Sequence, residues 1–390
     1  MIGNQTAIEV SGRVPLSPEE HFDLRLKGDA RLELLEPAFE DAGLAGSASA
    51  DLQLRGTAQE LELVGEAVLR EAEGTFQGLH LSEVRADIEG SAGRVLLRSL
   101  TGKLLGGEFR LQGELPLSSA PSSGTNRLQF DVTELDVAEL LSQNTDAASK
   151  PILKLSAFGT LETPTLSGTA LRGSGTISRL EAGSSQLIIS NPEPAAWSLA
   201  AGRLELPALR LVREGTDLRI GMTASLREGD RAWEASLRGN LDNALVNPLL
   251  GDFGLVIAGG TELDLIARSA TEGFVLEGSG SLREARVVIR EPPLVLSDLR
   301  GDLRFEGRRI TLTGMSAEAG GGRVEGSGTF DLLGHVDLSL SADSVRLNYP
   351  EGLRSEQSGS FRLSGGRDSY LLSGDLRLLQ SLYNGDLTLQ

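Results

Sequence analysis

The chain has 390 residues, with 48 Gly, 14 Pro, no Cys, 55 acidic and 37 basic side chains, and a formal net charge of −18. Zero cysteine excludes disulfides, thiolate metal sites and a cysteine nucleophile, and the acidic balance lacks the basic footprint that nucleic acid needs. Aromatics at 4% argue against a ring-lined sugar cleft and a base-stacking surface. Glycine is raised without proline, so the chain is neither a Gly/Pro linker nor a collagen. Four lysines (Lys27, Lys103, Lys150, Lys154) leave 33 arginines, a bias of composition with no recognition role attached. No window approaches 18 consecutive apolar residues. The start has no basic n-region or apolar h-region, so the chain is either cytosolic or an internal piece whose targeting segment lies elsewhere.

In chain order, the dominant signal is alternation of apolar and polar residues, the mark of strands with one apolar and one wet face. Phe22, Leu24, Leu26, Gly28, Ala30, Leu32 and Leu34 form the first run. Leu63 lies in the next, and Phe109, Leu111, Gly113, Leu115 and Leu117 form another. Then come Leu166, the run Leu218, Ile220, Met222, Ala224 and Leu226, and Leu276. Leu303 and Phe305 follow, then Val336, Leu338, Leu340 and Ala342, and finally Phe361, Leu363 and Leu372. Gly106-Gly107, Gly259-Gly260 and Gly320-Gly321-Gly322 read as turns and bulges. No long amphipathic helix separates the strands, which predicts an antiparallel meander rather than β-α-β units. Short stretches around 36–41, 135–141, 243–250 and 349–354 lose the alternation and read as short helices or turns at strand ends.

Internal repeats set the architecture. One ten-residue block recurs at 56–65, 159–168, 269–278 and 365–374, with Leu at its eighth position (Leu63, Leu166, Leu276, Leu372) and Gly at its tenth (Gly65, Gly168, Gly278, Gly374). A second block opens on Gly93-Arg94, Gly202-Arg203 and Gly307-Arg308, and Leu-Arg-Glu-Ala occurs at 69–72 and 282–285. The chain reads as one continuous array over 1–390, in units of roughly 105 residues. The approximate units are 1–130, 131–240, 241–345 and a truncated 346–390, with no linkers between them. The fold class expected is all-β: an elongated, curled antiparallel sheet.

A one-faced sheet must cover its apolar face. Separate sandwiches predict a large aromatic in each core, whereas the two tryptophans, Trp197 and Trp233, share one stretch. A sheet curled into a trough would instead present an aliphatic lining, and an acyl chain is its natural occupant. Each CH₂ leaving water contributes about 0.8 kcal/mol, and one inward charge would cost several kcal/mol. About 30 strands at ~4.8 Å would run for roughly 140 Å. The inward residues fit either a trough lining or an ordinary core closed by an opposing wall.

The stretch Tyr349-Pro350-Glu351-Gly352-Leu353-Arg354-Ser355-Glu356, with Phe361-Arg362-Leu363-Ser364-Gly365 and Leu371-Leu372-Ser373-Gly374, resembles the bacterial TamB family. So do Gly56-Thr57, Gly159-Thr160 and the glycine-rich run at 320–328, which are also similar to AsmA-like repeats. The resemblance implies a β-taco, a repeating β-groove that spans the periplasm. It implies an inner-membrane anchor at the N-terminus of the full-length protein and an outer-membrane partner, the TamA barrel, at its C-terminal end. It also implies phospholipid movement to the outer membrane and support of outer-membrane protein assembly. On that reading the chain is a middle-to-late fragment, without the anchor and stopping where the family's C-terminal domain should continue. The groove lining would be Phe22, Leu24, Leu26, Leu32, Leu63, Phe109, Leu111, Leu115, Leu166, Leu218, Ile220, Met222, Leu276, Leu303, Phe305, Leu338, Leu340, Phe361, Leu363 and Leu372.

No catalytic, cofactor or metal site is expected. His21, His80 and His335 lack ligand spacing. Glu19-Glu20 and Glu71/Glu73 read as solvated faces. Gly173-Ser174-Gly175-Thr176 opens no helix, so it is no phosphate loop. Two other classes stay open: a scaffold or chaperone that pairs its strand edges with unfolded outer-membrane strands, and a structural β-repeat stalk or adhesin.

Overall fold

A computed structural model describes residues 7–13, 21–33, 43–57, 61–76, 78–91, 94–116, 126–138, 152–163, 171–184, 187–225, 232–247, 254–271, 273–291, 293–331, 334–349, 351–366 and 369–383. Among the described residues, twenty-three strands form one sheet. The first eight are β1 (Ala7–Arg13), β2 (Phe22–Arg31), β3 (Ala45–Gly56), β4 (Leu61–Phe76), β5 (Leu79–Ser91), β6 (Arg94–Leu104), β7 (Gly107–Pro116) and β8 (Asn126–Asp136). The next eight are β9 (Ile152–Thr163), β10 (Arg172–Gly183), β11 (Ile188–Ser190), β12 (Ala195–Ala200), β13 (Arg203–Arg213), β14 (Thr216–Ser225), β15 (Trp233–Asp242) and β16 (Leu255–Ser269). The last seven are β17 (Phe274–Ile289), β18 (Leu294–Gly307), β19 (Arg309–Ala319), β20 (Gly322–Asp331), β21 (Val336–Asn348), β22 (Leu353–Gly366) and β23 (Ser369–Tyr383).

Each strand pairs antiparallel with its sequence neighbour, so the sheet is a meander with local connections. The one departure is that β11 and β12 share a lane, both pairing with β10 and with β13. The sheet therefore has one lane fewer than strands. At ~4.8 Å per lane it runs for about 100 Å, shorter than the ~30-strand expectation. The reason is strand length: β4 and β17 have 16 residues each, well beyond the common length of about 5–6. The approximate unit boundaries at 130/131, 240/241 and 345/346 fall inside β8, β15 and β21, so the sheet passes through them without a break.

The sheet curls. Its side chains have no second layer to pack against among the described residues, yet Ala285 is 0% exposed and Leu209 and Leu211 are each 2% exposed. Such burial requires the apolar face to turn toward itself. Two buried clusters mark the bend. One gathers Ala285, Leu299, Met315, Ala317, Ala319 and Val345, and the other Ile189, Ala195, Leu206, Leu209, Leu211 and Leu218. The accessible surface of 24740 Å² exceeds the ~15,000 Å² expected for a compact chain of this mass.

β-Bulges supply much of the bend. Leu-Arg-Glu-Ala, the repeated tetrapeptide, is a bulge both times. Glu71 and Glu284 take left-handed φ values of 50° and 54°, the register slips there, and Ala72 and Ala285 return to the inside at 7% and 0% exposure. Gly46 and Gly259 face these bulges from the preceding strands. The tenth-position glycines that the structure describes are strand residues. Gly65, Gly278 and Gly374 lie inside β4, β17 and β23 with φ of +121°, +137° and +156°. The pairs at Gly106-Gly107 and Gly320-Gly321 do make hairpin turns, and Gly259-Gly260 a bulge.

Of the four short helical stretches, 243–250 contains a 3-10 helix, Asn243–Val246, capped by the Asp242 carboxylate, which accepts from the Ala244 N–H. The 349–354 stretch is a turn leading into β22. In the 135–141 stretch, Leu135 and Asp136 end strand β8, Val137 is a turn and Ala138 is helical, while 139–141 and 36–41 lie outside the described residues.

Candidate functional site

The register places the expected lining residues on one face. In an antiparallel ladder, directly opposed residues share a face. One such row crosses the first part of the sheet as Ile8, Gly28, Ala50, Ala67, Ile88, Leu97, Gly113, Leu128 and Leu161. A second crosses the rest as Leu218, Gly239, Leu263, Gly280, Leu303, Leu312, Gly328, Leu338, Leu363 and Leu372. Leucine against glycine keeps the rows apolar while making room for the curl.

Phe22, Leu24 and Leu26 oppose Gly56, Leu54 and Leu52, and Leu54 opposes Leu63. Phe109, Leu111 and Leu115 oppose Gly102, Leu100 and Val95. Ile220 and Met222 lie between β13 and β15, opposite Leu209 and Leu206. Leu276 and Phe305 oppose Ala267 and Ile310, while Leu340 opposes Phe361. All of these except Phe22, whose side chain lies outside the described residues, share the inner face.

Their exposure is uneven. Leu218 at 3% and Phe109 at 9% are buried, whereas Leu26 at 38% and Leu372 at 61% are open. Most of the others are half-buried. Leu32 is the exception to the strand assignment: β2 ends at Arg31, and Leu32 sits in a 3-10 turn beyond it, 7% exposed. Leu34, Leu117, Leu166, Leu226, Gly168 and the side chain of Phe22 lie outside the described residues.

The opposite face is polar and laced with cross-strand ion pairs. Arg238 meets Asp264 at 2.8 Å, Arg362 meets Asp337 at 2.8 Å, and Arg346 meets Glu356 at 3.0 Å. Hydrogen bonds from Arg25, Arg210 and Arg362 hold the Asp51, Asp217 and Asp337 carboxyls below the usual aspartate range. Charge is thus consumed on the outside, and the inner rows stay free of it. Among the described residues, no three His, Asp or Glu side chains are grouped as a metal site would need. His335 pairs with Asp331 at 3.1 Å. No helix among the described residues is long and apolar enough to cross a membrane.

Sequence reasoning missed two inward features. The first is the buried Asn243–Thr261 pair, in which the Thr261 hydroxyl donates to the Asn243 carbonyl oxygen. The second is an aromatic cluster, with the Phe130 and Trp197 ring centroids 5.7 Å apart.

A turn after Tyr349 leads into β22, which carries Phe361, Leu363 and Gly365 inward against β21 and β23. The family match itself falls elsewhere. Residues 1–100 match the model of the TamB C-terminal domain. The match thus covers the first strands, β1 to β6, and not the stretch from Tyr349 that carries the resemblance. Comparison with curated proteins and with solved structures returns no match. Together with the single curled sheet, the family match supports a TamB-type protein.

Proposed function

We propose that this chain is the hydrophobic conduit of a TamB-type protein, carrying phospholipid along its inner face between the inner and outer membranes of a double-membrane bacterium. Acyl chains lie in the groove, no bond is made or broken, and no cofactor or metal takes part. The observation that carries the reading is the inner face, whose two traced rows of aliphatic residues and glycine run from Ile8 to Leu161 and from Leu218 to Leu372. Its side chains are half-exposed over most of the length, which leaves surface for a cargo to cover. At about 0.8 kcal/mol per CH₂, a chain of a dozen or more methylenes gains on the order of 10 kcal/mol from a fully apolar track. Support of outer-membrane protein assembly, contact with a TamA-like outer-membrane barrel, anchorage to the inner membrane and residence in the periplasm belong to the same proposal and rest on the family match.

A second reading keeps the sheet and changes its use. All fifteen residues of β23 are exposed, and Leu371, Leu379 and Leu382 are 64%, 45% and 56% exposed. An open edge with apolar side chains suits β-augmentation by an unfolded outer-membrane strand.

The two readings separate on an inward charge. Leu338 and Leu363 are half-buried and lie outside both buried clusters, unlike Ile220 and Leu340, which pack against them. Leu338→Asp and Leu363→Asp are expected to remove most co-purifying phospholipid while leaving the sheet folded. Unchanged lipid in the two variants, or no lipid in the wild type, refutes the conduit. Proline in β23 tests the edge reading, because it abolishes strand pairing at that edge.

A further inference from the structure

The conduit reading leaves the aromatic cluster at mid-sheet unused. Trp197 on β12 opposes Gly175 on β10, which opposes Gly159 on β9. Phe130 on β8 opposes Gly159 from the other side. A Cβ built on Gly159 would lie 2.6 Å from the indole Cζ2, one on Gly175 2.7 Å from the same atom, and one on Gly173 3.5 Å from Cη2. The Cζ2–Cη2 edge of the indole therefore lies over backbone that three glycines leave bare. A side chain at Gly159 or Gly175 would lift the ring. Gly173-Ser174-Gly175, which lacks the context of a phosphate loop, is explained by this seat.

The ring is fixed from its edges as well. Phe130 flanks it at an interplanar angle of 34°, and the cluster of Ile189, Ala195 and Leu206 packs against it. Trp197 nevertheless stays only half-buried on the inner face. Elsewhere the described lining is mostly Leu, Val, Ile and Ala, whose longer side chains lose rotamer freedom when a cargo orders them. An indole already pinned to the sheet offers a large, flat, polarisable surface at little ordering cost. An extended methylene chain is the class of ligand that such a surface takes in a groove whose traced inner rows carry no charge.

We propose that Trp197, seated on Gly159, Gly173 and Gly175 and flanked by Phe130, is a fixed acyl-chain binding site halfway along the groove. This rests on the conduit reading and adds to it one place where the cargo is held. The test is tryptophan fluorescence in Trp233→Phe protein, where Trp197 is the sole indole. The probe is phosphatidylcholine brominated on its acyl chains, with the unbrominated lipid as reference and bound lipid measured by mass spectrometry in the same samples. The site predicts that the brominated lipid lowers Trp197 emission at least twofold and that the reference lipid does not. If Trp233→Phe fails to fold, wild type compared with Trp197→Phe gives the same contrast. Bound brominated lipid with unchanged Trp197 emission overturns the site and leaves the conduit standing. Absence of bound lipid from wild type overturns both.

Discussion

Gly278→Ala is expected to unzip the sheet locally. Gly278 sits mid-strand in β17 at φ +137°, and a Cβ there would lie 3.0 Å from the Leu265 Cα and closer still to the Asp264 carbonyl oxygen. The contact with that oxygen is more than ~1 Å inside the ~3.5 Å optimum. It is made to backbone, so no rotamer change relieves it. The backbone conformation alone costs about 1–3 kcal/mol for a residue with a Cβ. Adding the displacement of β16 from β17 gives roughly 3–5 kcal/mol, at the upper end for a single substitution. Two controls isolate the terms. Gly374→Ala meets an equally close carbonyl, that of Ser360, but β23 is an edge strand and can peel away, so about 1–2 kcal/mol is expected. Gly273→Ala lies in a turn at φ +79° with nothing within 4 Å, which leaves only the conformational cost of about 1 kcal/mol. Long arrays do not unfold in one step, so the assay is native-state hydrogen exchange of the β16, β17 and β18 amides. Equal protection in Gly278→Ala and Gly273→Ala would refute the argument that the repeat's glycine is there for a close strand approach.

Three further outcomes follow from the same geometry. Glu284 holds a left-handed φ of 54° at its bulge, so Glu284→Val should cost about 1–3 kcal/mol and Glu284→Asn about 0.5 kcal/mol or less. Equal stability of the two by chemical denaturation would contradict the bulge. Thr261→Val removes the donor to the buried Asn243 carbonyl oxygen; about 1–3 kcal/mol should be lost, visible as faster exchange in β16, and wild-type exchange would contradict it. Asp51, Asp217 and Asp337 have folded values held below the ordinary one by arginine hydrogen bonds. Their contribution is fully present above the unfolded aspartate value of ~3.9 and is lost as pH falls through the folded values. Double replacement of Arg25 and Arg362 by Gln should therefore shrink the acid-side fall in melting temperature below about pH 4, and an unchanged acid profile would oppose this.

The all-β class and the inward set were legible because alternation has the period of a strand, and register carries one face from lane to lane. Leu338, Leu363 and Leu372, chosen from three separate runs, turn out to be direct cross-strand neighbours. How far each is covered was not legible, because Leu218 and Leu363 have the same local pattern and differ only in distance from the bend. The bend itself was hidden for two reasons. Glycine inside a strand looks like glycine in a turn, and Glu71 and Glu284 are not residue types that announce a left-handed backbone. The repeated Leu-Arg-Glu-Ala was visible as a recurrence, but its meaning needed the register slip. Trp197 was likewise visible, but its glycine seat comes from β9 and β10 and appears only once those strands lie beside it.

The central claim is tested most directly by a photo-crosslinking residue at Leu338, with one at Ser339, its neighbour on the polar face, as control. The purified protein is irradiated and its adducts are weighed by mass spectrometry. The account predicts stoichiometric phospholipid adducts from position 338 and none from 339. A folded protein that gives no lipid adduct from 338, or equal adducts from both positions, would contradict it.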